Sequence, residues 1–163
     1  MANAYYGKTI LGELSDAQAL PNATAVDSTN MVYVGGKTGG SLWINIYANT
    51  AISIATGQAF NIEFQSYSAD TAASAISPFS TANAGGMYEG SGTSEDEAHV
   101  YLLHATNADG QLDFAAGDLM CSYGIPEDNL RLISHDYVQL VYTTDADESA
   151  TEKVDAFVWI KPA

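Results

Sequence analysis

Apolar and polar residues alternate through Leu42-Trp43-Ile44-Asn45-Ile46-Tyr47 and again through Phe60-Asn61-Ile62-Glu63-Phe64-Gln65. A period of two gathers Leu42, Ile44 and Ile46, then Phe60, Ile62 and Phe64, on one side of a strand, which a helix cannot do. The pattern predicts two strands with these residues inward and Trp43, Tyr47, Asn61, Glu63 and Gln65 outward. Shorter β-branched or aromatic runs predict further strands at Met31 to Val34, Val100 to His104, Leu130 to Ser134 and Tyr137 to Thr143. Val154 to Ile160 is apolar except for Asp155, as expected of a central strand packed on both faces or one with a face against a partner.

Turn-forming residues separate these runs. Gly35 to Ser41 reads as a hairpin loop, and Asp145 to Ser149 as a polar hairpin connection. The stretch from Ala84 to Thr93 is Gly-rich and long. Ser15 to Leu20 carries the one helical signal, a turn capped by Ser15 and ended by Pro21. With no internal repeat and no linker, the chain reads as a short N-terminal arm, residues 1–13, and a single domain, residues 14–163. Many short strands between turn signals predict an all-β antiparallel sandwich or barrel with long polar loops.

Composition narrows the function classes. The chain has 163 residues, 47% of them hydrophobic, so it can bury a core. Five Lys and Arg stand against twenty Asp and Glu, for a net charge of −15. That field repels phosphate backbones and anionic lipid, so neither nucleic acid nor membrane is an expected partner. Five of the acids precede Glu89 and fifteen follow from there. The stretch from Met1 to Leu20 has one lysine and no continuous apolar run, so a soluble product of a reducing cytoplasm is expected. The single cysteine, Cys121, permits no intrachain disulfide. Without a nearby basic residue it reads as a half-buried packing thiol.

Catalytic constellations are missing from the sequence. There is no Gly-x-Ser-x-Gly elbow, and Gly35-Gly36-Lys37-Thr38 lacks the first glycine of a phosphate loop. His99 and His104, five apart on one strand, face opposite sides, and His135 stands alone. Acidic groups at Glu95-Asp96-Glu97, at Asp109, Asp113 and Asp118, and at Asp145 and Asp147 match no EF-hand spacing and read as solvated turns. A non-enzymatic module without cofactor or metal is therefore expected. Asn22-Ala23-Thr24 is a formal glycosylation sequon.

Aromatic residues are the strongest interaction signal. Outward Trp43 and Tyr47, Trp159 on the last strand, and Tyr5 and Tyr6 in the arm are the candidate interface residues. Such rings mark a protein interface or a sugar platform, or are covered by a loop of their own chain.

Two segments carry a family resemblance. Leu14-Ser15-Asp16-Ala17-Gln18-Ala19-Leu20, followed by Ala23-Thr24 and Asp27-Ser28-Thr29-Asn30, resembles the opening of the tailed-bacteriophage capsid cement (decoration) family first seen on a Bordetella phage. Gly124-Ile125-Pro126, Leu130-Arg131-Leu132, Tyr137 to Thr143 and Val154-Asp155-Ala156-Phe157 resemble its close. The chain departs from the family in a larger middle, about Tyr67 to His99, and in two strand-like pieces between Leu130 and Tyr142 where one is typical.

The resemblance implies a jelly-roll β-sandwich that assembles as a homo-oligomer, with a dimer favoured and a trimer open. It implies a cement role on the outer surface of the phage head, where the protein bridges major capsid protein subunits. Synthesis in the bacterial cytoplasm follows. The competing expectation is a carbohydrate-binding, lectin-like jelly-roll, calcium-dependent if its acidic loops take the ion. A double-stranded β-helix enzyme ranks last, because no His-x-Asp/Glu…His set is present.

Overall fold

The computed structural model describes residues 9–35, 41–67, 100–107, 112–125, 136–148 and 151–161. These form eleven strands and, among the described residues, no helix: β1 (Thr9–Ala19), β2 (Ala25–Asp27), β3 (Val32–Tyr33), β4 (Ser41–Ala48), β5 (Ile52–Ser53), β6 (Ala59–Tyr67), β7 (Val100–Thr106), β8 (Asp113–Phe114), β9 (Leu119–Gly124), β10 (Tyr137–Thr144) and β11 (Lys153–Lys161). All described pairings are antiparallel. One sheet has the order β1-β11-β4-β9 and a second β2-β10-β6-β7, with β3 also on β10; β5 and β8 form a small ribbon.

The period-two pattern is realised residue by residue. Along β6, Phe60, Ile62 and Phe64 are fully buried, and the alternating Asn61, Glu63 and Gln65 are half-open. Leu42, Ile44 and Ile46 of β4 turn inward with Val154, Ala156 and Val158 of β11. They share one core with Val138, Leu140 and Tyr142 of β10 and the three inward residues of β6. The core therefore lies between the two sheets, in a sandwich-like arrangement. Each large aliphatic or aromatic side chain in it contributes about 1.5–3 kcal/mol of burial free energy.

The sheets also approach through small residues. A Cβ added at Gly12 of β1 would lie 2.7 Å from Val32 Cγ1 of β3, so the close crossing of these two strands requires glycine there.

The structure corrects three expectations. First, Ser15 to Leu20 is not a helical turn, since Ser15 lies inside β1. Non-local pairing overrides its capping propensity: its hydroxyl contacts Gln18 and Tyr142. Second, the arm does not extend to residue 13, because Thr9 to Glu13 already pair with β11. Third, neither expected hairpin is one. Strands β3 and β4 lie in different sheets, as do β10 and β11, so the connections after Tyr33 and after Thr144 cross between sheets. Residues 20–24 tie the second crossing down. Leu20 N donates to Glu152 O at 3.0 Å, Ala23 N to Ala146 O at 2.9 Å, and Thr144 Oγ1 to Pro21 O at 2.9 Å.

The expected strands at 42–47, 60–65, 137–143 and 154–160 are present, and β11 is internal to its sheet. The strand expected at 130–134 lies outside the described residues, as do Tyr5, Tyr6, His99 and His135. His104 sits opposite Asn61 in the β6–β7 ladder.

Candidate interaction surfaces

Register decides which outward aromatics meet. In the β4–β11 ladder Trp43 is opposite Trp159, Asn45 opposite Phe157 and Tyr47 opposite Asp155. The two indoles lie with centroids 6.4 Å apart and planes tilted by 35°. Gly124 of β9 is the next neighbour of Trp43, and a Cβ there would make an ordinary 3.5 Å contact with the ring. Both tryptophans are half-buried. The pair thus forms one continuous aromatic strip across two central strands.

Tyr47 behaves differently. It points away from the core as its position predicts, yet only 8% of its surface is open. Its hydroxyl accepts from Asn45 Nδ2 at 3.0 Å, and Asn45 Oδ1 in turn accepts from Ser122 Oγ at 2.8 Å. Alternation reveals the face a side chain takes but not whether that face is covered, and Tyr47 offers little free surface.

Two exposed residues escaped the sequence reading: Tyr33 at 52% and Leu119 at 50% open. Tyr33 packs edge-on against Tyr137, with centroids 5.2 Å apart. The Tyr33 hydroxyl and the Asp136 carboxylate both crowd Gly35, where an added Cβ would lie 2.8 Å and 2.5 Å from them. The signal for Tyr33 was present, since Val32-Tyr33-Val34 puts the ring opposite two buried valines. Leu119 carried none, because β9 does not alternate.

The segments Leu14–Leu20 and Asp27–Asn30 form a lock. Gln18 Oε1 accepts from Ser15 Oγ at 2.7 Å, Thr29 N at 2.7 Å and Thr29 Oγ1 at 3.0 Å, while Gln18 Nε2 donates to Asp27 O at 2.5 Å. Asn30 N donates to Leu14 O at 2.9 Å. Ser28 reaches the other sheet, where its Oγ accepts from Leu140 N at 3.1 Å. The two motif segments are thus hydrogen-bonded to each other and hold β1 against β10.

Burial shifts several ionisable groups. Burial pushes the Cys121 thiol up to about 11, so it is protonated at neutral pH. Burial, and then repulsion from Asp16 and Asp155, raises the Glu13 carboxyl. Of the suspected cation ligands, Asp113 accepts from Ser53 Oγ at 2.8 Å, Asp118 from Ala115 N at 2.8 Å and Asp145 from Ala59 N at 2.7 Å. Glu95, Asp96, Glu97 and Asp109 lie outside the described residues. Among the described residues no three His, Cys, Asp or Glu side chains converge as a metal site would require.

No family model matches the chain, and no curated protein matches it in sequence.

Proposed function

We propose that this chain is a non-enzymatic cement protein that binds the outside of a phage head and clamps neighbouring major capsid protein subunits, using a jelly-roll sandwich. The observation that carries the reading is the pair of sheet orders, β1-β11-β4-β9 and β2-β10-β6-β7. Two antiparallel sheets, each with a four-strand path and with connections that cross between them, are what two wound Greek keys give, and jelly-rolls of this kind build viral shell proteins. The lock between Leu14–Leu20 and Asp27–Asn30 supports it further. The matching motif residues have a structural reason to recur together, because they hold the two sheets in place.

The physical properties suit the role. Packaged DNA pushes a shell outward, and a clamp between subunits must resist their separation. A sandwich with its sheets cross-bonded is stiff, and linking copies adds avidity. A net charge of −15 is compatible with the outer surface and would oppose DNA inside. The Trp43–Trp159 strip is the proposed capsid contact. The test is to add the purified chain to undecorated HK97-like shells of the major capsid protein encoded with it, and to image them. Failure to bind at every expansion state sinks the proposal.

A second reading, a carbohydrate-binding jelly-roll, draws on the same indole strip and on Tyr33 beside Tyr137 and Asp136. Sugars stack on such rings. A glycan array run with and without calcium separates the two: a defined sugar ligand lost on mutating Trp43 favours this reading over the first.

A further inference from the structure

Three tyrosines line up across the second sheet. In the ladders of β10, Tyr137 is opposite Tyr33 of β3 on one side and Tyr67 of β6 on the other. The row changes along its length. Tyr67 is only 2% open, and its hydroxyl donates to Gln65 Oε1. Tyr137 is half-buried, and Tyr33 is 52% open. The row therefore offers a ligand its Tyr33 end, where the rings of Tyr33 and Tyr137 meet edge to face with centroids 5.2 Å apart.

A carboxylate is built into that end. Val34 N and Gly35 N both donate to Asp136 O, at 2.6 Å and 3.3 Å, which fixes the backbone beside Tyr137. A Cβ added at Gly35 would lie 2.5 Å from Asp136 Oδ1 and 2.8 Å from the Tyr33 hydroxyl. Carboxylate and phenol thus converge on one point, which only a glycine leaves clear. The charge around them has one sign: β2, β3, β6, β7 and β10 hold Asp27 and Glu63 and no Lys or Arg.

We infer that Tyr33, Tyr137 and Asp136 form a seat for an arginine side chain of a partner protein. The negative faces of the rings attract a cation. A planar guanidinium stacks on an aromatic ring while its fork of donors reaches a carboxylate, which the compact ammonium of a lysine does less well. Charge selects the occupant. A neutral sugar would use the rings but gain nothing from the field of Asp136, Asp27 and Glu63. An anionic ligand would be repelled by a chain of net charge −15. An arginine uses rings, carboxylate and field together. The seat lies on the other sheet from the Trp43–Trp159 strip, so it does not rest on the capsid reading and is tested without a shell.

The experiment follows the fluorescence anisotropy of a labelled arginine-containing peptide, and of its neutral citrulline counterpart, titrated with the full chain at low salt. The arginine peptide is expected to bind saturably and the citrulline peptide not to bind. Tyr33→Leu leaves every charge in place and is expected to weaken binding about five-fold or more. Gly35→Ala, which drives the carboxylate and the phenol apart, is expected to weaken it as well. Circular dichroism checks that each variant keeps its β structure. A chain that binds both peptides alike overturns the inference, and so does one that binds neither. Binding that Tyr33→Leu leaves untouched would be attraction to net charge alone and overturns it too. Displacement of the peptide by a neutral oligosaccharide would give the seat to a sugar instead. If Tyr33→Leu does not fold, Asp136→Asn decides: it must weaken binding more than Asp27→Asn, which removes the same charge elsewhere on the sheet.

Discussion

The Tyr142 hydroxyl donates to Ser15 Oγ across 2.9 Å of interior, joining β10 of one sheet to β1 of the other. The direction follows from the neighbouring bond, in which Ser15 gives its only proton to Gln18 Oε1. Both residues are fully buried. Ser15→Ala strands the phenol and should cost about 2 kcal/mol, whereas Tyr142→Phe leaves Ser15 with a partner and should cost about 1 kcal/mol. Urea unfolding of both single variants and the double variant measures this. A double variant no less stable than Ser15→Ala alone would show the coupling.

Gln18 should be worth more than a half-exposed amide ordinarily is. Its side chain makes four hydrogen bonds, three of them to Asp27 and Thr29. Gln18→Ala should lower stability by about 2 kcal/mol, and hydrogen exchange should rise first at the Thr29 amide. An unchanged unfolding midpoint would show that water replaces the lock at no cost.

Asp155 shapes the break in β1. Its carboxylate accepts from Ala17 N at 2.7 Å and from Asn49 Nδ2 at 2.9 and 3.1 Å, and Ala17 has φ +46°. A side chain in that left-handed region costs about 1–2 kcal/mol. Ala17→Gly should therefore stabilise by up to about 1 kcal/mol after glycine's greater freedom in the unfolded chain is counted. Asp155→Ala should destabilise by about 2 kcal/mol, since it removes charge-assisted bonds. Thermal melts of the two variants should move in opposite directions.

Glu148 supplies a pH dependence. Burial raises its carboxyl above 4.5, helped by Glu152, Asp147 and Asp145. The native state thus holds the proton more tightly than the unfolded state, and this group's contribution to stability falls as pH rises from 4.5 through the raised value. Glu148→Gln should melt higher than wild type at neutral pH. The gap should close as the pH is lowered to 4.5, and a gap constant with pH would refute the assignment.

Cys121 should be a slow thiol. Its shift from 9.0 to about 11 lowers the thiolate fraction roughly a hundred-fold. Its Sγ also contacts Leu102 O at 3.5 Å. Labelling with a chromogenic disulfide at neutral pH should be much slower for the native protein than for urea-unfolded chain. Equal rates would mean that β9 opens freely from β7.

Legibility followed locality. Strands β4 and β6 could be read because apolar residues alternate along both, although only β6 leaves its outer face half-open, and β11 because a near-unbroken apolar run belongs inside a sheet. Strand β9 could not, since Leu119 to Gly124 pairs on one side only among the described residues and has neither face fully buried. The Ser15 segment was misread because its deciding partner, Tyr142, is 127 residues away. The loops after Tyr33 and Thr144 have the composition of hairpins, and nothing in a turn records which sheet the next strand joins. The Trp43–Trp159 strip depends on the β4–β11 register, which only the folded ladder sets. Tyr47 shows the same limit, because parity gave its direction and packing removed its exposure.

The pairing of β1 with β11 also sets a schedule. Ala17 is held by Asp155, 138 residues further along. At roughly 5–20 residues per second of synthesis, the first strand waits on the order of ten seconds for its partner to be made. During that interval Leu14 and its neighbours have no ladder to join, so the sandwich closes late, with the pairing of its first and last strands completed last. Folding should be slow for a domain of this size, as topologies dominated by distant pairings are. A nascent chain stalled before Lys153 should remain sensitive to protease along its whole first sheet.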